Sequence, residues 1–347
     1  MRILFVTHRY PPRTGGIETH VREVATRLAE RGHDVSVFTA DSGDDVPSRE
    51  VLNNISIRRF QSLKVGDGFH FAPQLVLAVR NIDVDIIHAH NYHSFPLLFA
   101  AAGATDERFV ITTHYHAQSQ GRIRDVLLSL YRPLGRWALR QADSIVAVSE
   151  WERDKLLHDF GVRATIIPNG ITMSRFDEAS ETERARPYLL TVGRLEEYKG
   201  VQHIIRAMRS LPAYDLLIAG SGSYQKRLEQ IALNENVTDQ VVFLGYVEDD
   251  ALPGLYANAE VYVSMSEAEA YGMTVAEALA AGTPCVVRSA GALQDWIQHS
   301  GTVGVSTVSP KSIRQAVQTA TELDQPTLEG RSWNDITAEL LNAIYTK

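Results

Sequence analysis

Short apolar runs alternate with helix-spaced patterns along the whole chain. Residues 3–6 form an apolar run, followed by a loop through Pro11, Pro12, Gly15 and Gly16. Val21, Val24, Ala25 and Leu28 then recur at helical spacing, and Gly32 stops that helix. Further strand-like runs stand at 35–38, 55–60, 86–87, 110–111, 145–148 and 165–167. A polar stretch without periodicity, 177–187, reads as a linker. The rhythm then restarts with a strand at 188–192, a glycine- and charge-rich loop, and a helix from Val201. Strands follow at 216–219, 241–244, 261–264 and 285–288. This βαβ order predicts an α/β protein of two Rossmann-like domains in tandem, each with a mainly parallel sheet. Ligands of such sheets sit beyond the carboxyl ends of the strands, so the two domains are expected to face each other across a cleft. At the end of the chain, Trp333, Ile336, Leu340 and Ile344 share one face of an amphipathic helix.

Composition narrows the class. A chain of 347 residues can bury two cores, and 44% hydrophobic with 22% charged residues is ordinary for a soluble globular protein. A formal net charge of −8 argues against nucleic acid as a partner. The single cysteine, Cys285, excludes an internal disulfide and suits a reducing cytoplasm. The first apolar run meets Thr7, His8 and Arg9 at once, which fits a first strand better than a signal peptide. No run approaches the ~20 apolar residues of a membrane span. The alanine-rich stretch 95–104 reads as a buried helix.

The densest chemistry lies in 266–284. Glu269 stands in a polar loop after a strand, and Glu277 lies inside a helical pattern that opens near Gly272 and closes at Gly282. Between them a helix N-terminus offers free amides and a positive dipole end, which suits a phosphate. Two carboxylates and such an N-terminus can hold the hydroxyls and the diphosphate of a sugar nucleotide. Alone, the pair could equally be the acid and base of a glycoside hydrolase. Arg194 and Lys199, in the loop after the strand 188–192, add two cations that suit phosphate oxygens. Gly15 and Gly16 form a second loop between strand and helix, where backbone can approach a ligand or simply turn.

His88, His90, His93, His114 and His116 cluster in sequence. With no cysteine beside them, zinc is not expected, and no metal is assigned. His114, just past a strand, is expected to face the cleft. Asp83-Val84-Asp85 has the D-x-D form of metal-dependent sugar transferases but precedes a buried run, so a strand-entry turn is the better reading. Arg132, Arg136 and Arg140 recur at helical spacing, with Arg122 and Arg124 upstream and Leu127, Leu130, Leu134 and Trp137 as an apolar face. The pattern fits a core helix with a solvated basic face, interrupted at Pro133 and Gly135. The alternative is peripheral contact with the inner face of a membrane.

Taken in order, Gly15-Gly16-Ile17-Glu18, Asp85-Ile86-Ile87-His88-Ala89-His90, Thr112-Thr113-His114 and Ile167-Pro168-Asn169-Gly170-Ile171 resemble one known family. So do Gly193-Arg194 through Lys199-Gly200, Phe243-Leu244-Gly245 and Glu269 through Glu277. The chain is similar over nearly its whole length to the family 4 glycosyltransferases, retaining enzymes of the GT-B fold. The resemblance implies an acceptor-side domain, 1–172, completed by the C-terminal helix 332–347 crossing back onto it. A nucleotide-sugar domain, 173–331, would follow.

It also implies roles. Arg194 and Lys199 would bind the donor diphosphate, Glu269 the sugar hydroxyls, and Glu277 the ribose. Amides near Gly272, Met273 and Thr274 would meet sugar or phosphate oxygens. Gly16 would approach the diphosphate or the acceptor, and His114 would line the reaction centre. Tyr246 and Val247 would flank the base, and Arg9, Tyr10, Arg13 and Tyr115 would meet the acceptor. The implied reaction moves a hexosyl group from a GDP-mannose or UDP-hexose type donor to a cell-envelope, lipid-linked or other glycan. It proceeds by same-face displacement, without a metal or other cofactor. Tyr271, Thr172 and the run Ala290 to Asp295 depart from the family pattern, the last beside the donor-phosphate loop. A hydrolysing epimerase or a silent sugar-nucleotide binding protein are the rival readings, and the presence of Glu269, Arg194 and Lys199 counts against the second.

Overall fold

The computed structural model describes residues 1–43, 45–65, 69–116, 122–177 and 184–346. The chain divides into two compact units, Met1–Gly170 with Arg331–Lys347, and Ile171–Gly330.

The first unit carries strands β1 (Arg2–Thr7), β2 (Asp34–Thr39), β3 (Arg49–Leu52), β4 (Ile55–Arg59), β5 (Leu63–Val65) and β6 (Phe69–Phe71). β7 (Ile86–His90), β8 (Arg108–Thr112), β9 (Ser144–Ala147) and β10 (Thr165–Ile166) complete it. Eight of them form one sheet in the order β10-β9-β8-β7-β1-β2-β4-β3, parallel except for the antiparallel edge strand β3. β5 and β6 pair separately. Leu4, Val6, Ile87, Ala89 and Ile111, from neighbouring strands, share one core. Strand β7 is buried at every position, the histidines His88 and His90 included. The helix Gly16–Glu30 buries Val21, Val24, Ala25 and Leu28, the face its spacing predicts.

The C-terminal helix Trp333–Glu339, prolonged by a wider π turn at Leu340–Tyr345, packs on the helix Gly16–Glu30. A capping box between Ser332 and Asp335 starts it. Its predicted apolar face, Trp333, Ile336, Leu340 and Ile344, is buried. Each such side chain stabilises the unit by roughly 2 kcal/mol.

The second unit holds β11 (Tyr188–Val192), β12 (Asp215–Ala219), β13 (Val241–Gly245), β14 (Val261–Ser264), β15 (Cys285–Arg288) and β16 (Thr302–Val305). They form one parallel sheet in the order β13-β12-β11-β14-β15-β16. Counted within the unit, this is the doubly wound order 3-2-1-4-5-6, and the chain changes direction between β11 and β14. The parallel strands of the first unit follow the same order, with the change between β1 and β7. Strand β16 escapes the sequence reading because it is a sheet edge that buries only Val305.

One element differs from expectation. Pro133 and Gly135 do not interrupt their helix, which runs unbroken over Arg122–Gln141. Tertiary packing overrides the lost amide of Pro133. Any side chain at Gly135 would strike the Tyr92 ring, so the glycine lets helix and ring meet. Described side chains of this helix begin at Tyr131, so those of Arg122, Arg124, Leu127 and Leu130 lie outside the described residues. Tyr131, Ala138 and Leu139 are buried, while Leu134 and Trp137 are 52% and 42% exposed. The face expected to be buried is thus partly solvent-facing.

Candidate functional site

In the second unit the chemistry gathers at the switch point. The loop after β11 carries Gly193, Arg194 and a short 3-10 turn, Glu197–Lys199. The loop after β14 carries Glu267 and Glu269 and ends at Gly272, which opens the helix Met273–Ala280. Gly272 has φ 98°, a left-handed conformation that glycine adopts without strain. The helix therefore starts abruptly, with its first amides free of a side-chain cap. The two loops are tied together, since the Glu267 amide donates to the Tyr198 carbonyl at 2.8 Å. Gly200 passes so close to the Met265 carbonyl that any side chain there would collide with it.

This places the Lys199 ammonium 2.5 Å from a Glu269 carboxylate oxygen. Burial alone would lower the lysine pKa, but the neighbouring carboxylate outweighs it and the pKa is raised. Gly193, Arg194, Lys199, Ser264, Glu269 and Thr274 line one concavity. Arg194 reaches the Tyr198 hydroxyl at 3.4 Å and is otherwise exposed. Met273 and Thr274 sit on the first turn, and the Thr274 hydroxyl accepts from Tyr262 at 2.7 Å. Glu277 lies one turn further, accepting from the Tyr256 hydroxyl at 2.9 Å. Burial pushes its pKa up to about 7 against the effect of that hydrogen bond. Tyr246 and Val247 follow β13, on the far side of β12 from the switch point, and Tyr246 is exposed. The unusual run around Ala290 packs on the site itself, because the Ala292 amide donates to the Glu269 carbonyl at 3.0 Å.

The first unit repeats the arrangement with different side chains. His8 follows β1, His90 ends β7, His114 follows β8, and His20 lies on the helix after Gly16. His20, His90 and His114 are buried, with ring centroids 5.1–5.7 Å apart. Desolvation lowers the pKa of all three, His20 to about 4, so the imidazoles are neutral. His88 is held by Tyr345 and Thr112, at 2.5 and 2.8 Å. Asp83 and Asp85 pair with Arg2 at the opposite end of β1, in keeping with a strand-entry turn.

His114 adopts φ 45°, uncommon for a residue with a side chain. Its neighbours are clamped by a residue the sequence reading passed over, Glu152. The Thr113 hydroxyl, the Tyr115 amide and the Val148 amide all donate to its carboxylate, the first at 2.5 Å and the last at 2.6 Å. Burial nonetheless pushes the Glu152 pKa up to about 7. The signal was present as Ser149-x-x-Glu152, a helix-start pattern in which Ser149 caps the Glu152 amide. His20 carries no signal in the sequence and Asn169 stands there only as a family marker, yet across 149 residues they lie 2.7 Å from each other.

Gly16 opens the helix Gly16–Glu30, next to the buried Glu18. Of the residues expected to meet an acceptor, Arg9 is half-buried and Arg13 pairs with Asp45 at 2.7 Å. Tyr10 and Tyr115 lie deeper. Both are buried, and the Tyr115 hydroxyl donates to Asp159 at 2.8 Å. The basic helix also has internal work for its charges. Arg132 and Arg136 donate to the carbonyls of Asp159 and Phe160, at 3.1 and 3.3 Å, where the helix Glu150–Phe160 ends.

Comparison with known proteins agrees with this layout. Residues 14–175 match the family described as Glycosyltransferase Family 4, and 173–329 match Glycosyl transferases group 1. A glycogen synthase of Mycobacterium tuberculosis is 30% identical over 360 residues, covering 94% of this chain and 87% of its own length. The chain belongs to the family 4 glycosyltransferases. An uncharacterized glycosyltransferase of Methanocaldococcus jannaschii is 28% identical over 384 residues, covering 99% of this chain and 97% of its own. Among solved structures, Anabaena HepE in complex with UDP and glucose superposes with a TM-score of 0.79 at 17% identity, over 100% of both chains. This glycosyltransferase therefore has the GT-B fold. Among the described residues no helix is long and apolar enough to cross a membrane.

Proposed function

We propose that this family 4 glycosyltransferase moves a hexosyl group from a nucleotide diphosphate sugar, of UDP-hexose or GDP-mannose type, to a glycan or lipid-linked acceptor with retention. The observation that carries the reading is the Lys199–Glu269 pair beside the uncapped helix start at Gly272. A bare ion pair can separate its duties once a polar ligand arrives. Lys199, Arg194 and the amides of Met273 and Thr274 would face the diphosphate, and Glu269 would accept from sugar hydroxyls. Glu277 would accept from the ribose. Negative charge developing on the leaving group is what these donors stabilise. They supply the charge compensation that a divalent ion supplies elsewhere, so turnover is expected to persist in excess chelator.

His114 is neutral and buried, so it serves by lining and hydrogen bonding rather than as a cationic acid. The departing phosphate oxygen then takes the acceptor proton. The acceptor side falls to the first unit, with Arg9, Arg13 and Gly16 as contacts. The single buried thiol, Cys285, suits a cytoplasmic setting. The relatives lend support, since one is a glycogen synthase and another is a GDP-mannose-dependent phosphatidylinositol monomannoside mannosyltransferase. HepE was solved with UDP and glucose. A thermal-shift screen of UDP, GDP, ADP and their sugars tests the donor class, because a bound nucleotide raises apparent stability with occupancy. No shift with any of them would overturn the proposal.

A further inference from the structure

The geometry points to a transition-metal site formed by His20, His90 and His114, of the kind that takes Zn2+ through three neutral imidazoles and leaves a fourth position open. One ring nitrogen from each of the three lies within 4.8 Å of the others. His90 Nδ1 and His114 Nε2 are 3.4 Å apart. That is long for a hydrogen bond. It is close to the separation of about 3.3 Å between two nitrogens each bonded at about 2.0–2.1 Å to one tetrahedral zinc.

The third ligand is prepared by its own second contact. His20 Nδ1 lies 2.7 Å from the Asn169 side-chain oxygen, so Nδ1 carries the proton and Nε2 keeps a lone pair. His20 Nε2 is buried and has no hydrogen-bond partner among the described residues. A buried polar atom without a partner calls for an explanation. An unpartnered imidazole nitrogen beside two further imidazoles, with its tautomer set by an amide, is what a ligand looks like before its metal arrives. Imidazole suits zinc, copper, iron and nickel, and absent thiolate or carboxylate partners favour none beyond these. Zinc was set aside in the sequence because no cysteine stood near the histidines. His20 was not in view there, since the fold alone brings it to His90 and His114.

Binding would immobilise the His114 ring, so zinc is expected to inhibit transfer. Only this consequence rests on the role proposed for His114. The test uses the full chain, dialysed against chelator, with the exposed His158 replaced by Ala. Titration with CoCl2 should give a tetrahedral visible absorption band that saturates at one cobalt per chain, and ZnCl2 should bleach it. His20→Gln and His90→Gln should each abolish the band. Asn169→Ala should weaken cobalt binding about 10- to 100-fold. Thermal unfolding of each variant without metal establishes that it is folded, and the three variants give independent readings. Absence of a band at one equivalent, as when a water satisfies these nitrogens, overturns the site. So does a band that survives both His20→Gln and His90→Gln. If cobalt binds as described but zinc leaves turnover untouched, the inhibitory consequence is overturned. A chain without transferase activity would leave the cobalt result standing.

Discussion

The two units share a strand order and place their chemistry at the same point of it, yet they fill that point with opposite materials. The second unit sets Lys199 against Glu269, with Arg194 and the amides after Gly272 nearby. The first unit sets neutral, buried histidines around His114, whose neighbours are held by Glu152. Charges left accessible can be handed to a charged ligand and taken back. Neutral, buried rings offer shape and lone pairs rather than charge. The contrast assigns changeable electrostatics to one unit and fixed shape to the other.

The strongest way to break it is Lys199→Ala. Turnover is expected to fall about a hundred- to thousandfold, as for other lost stabilisers of developing charge, with the fold kept by circular dichroism. Near-normal turnover would remove the electrostatic role from the second unit. Next is Glu152→Gln, which puts an amide nitrogen where the carboxylate accepted from a backbone amide. We expect kcat to fall about tenfold or more while the donor KM stays unchanged, because the donor site proposed above lies in the other unit. The lost acceptor also lowers stability by about 1–3 kcal/mol, read from denaturant unfolding. An altered donor KM would show that the units do not divide the work this way.

A smaller effect concerns pH. Glu277 ionises at about 7 in the fold and near the ordinary carboxylate value when unfolded. Its contribution to stability is fully present below about pH 4.5 and is lost as pH rises through about 7. Nucleotide affinity should move the other way, rising over the upper part of that window as the carboxylate forms and accepts from ribose. Glu277→Gln should flatten both profiles, which thermal unfolding and nucleotide titration would record. The smallest effect is expected from Arg132→Ala with Arg136→Ala. Loss of two donors at a helix end should lower stability by about 1 kcal/mol, with kcat and donor KM unchanged.

Much of this was visible along the chain, and what was not has a physical reason. Strands of a parallel sheet are buried on both faces, so runs such as 86–87 and 188–192 stand out in sequence. The loops with Lys199 and Glu269 were legible because each follows such a run directly. The half-exposed edge strand Thr302–Val305 has no such signature. Periodicity also cannot rank two apolar stripes on one helix, and in Arg122–Gln141 it is Tyr131, Ala138 and Leu139 that turn inward rather than Leu134 and Trp137. The first unit's site was least legible. The meeting of His20 with Asn169, and the burial of Tyr10 and Tyr115, depend on the three-dimensional path of the chain.

The bond between Tyr345 and His88 has a consequence for the order in which the molecule is made. His88 lies on β7, beside the first strand of the first unit's sheet, and its ring is closed off by a residue at the other end of the chain. Trp333 likewise meets His20 edge-on at 5.6 Å. A ribosome must therefore deliver every residue of Ile171–Gly330 before the earlier half can finish its own interior. Until then the nascent first half exposes the apolar seat of its missing helix, and the second unit can complete itself earlier than the one synthesised before it.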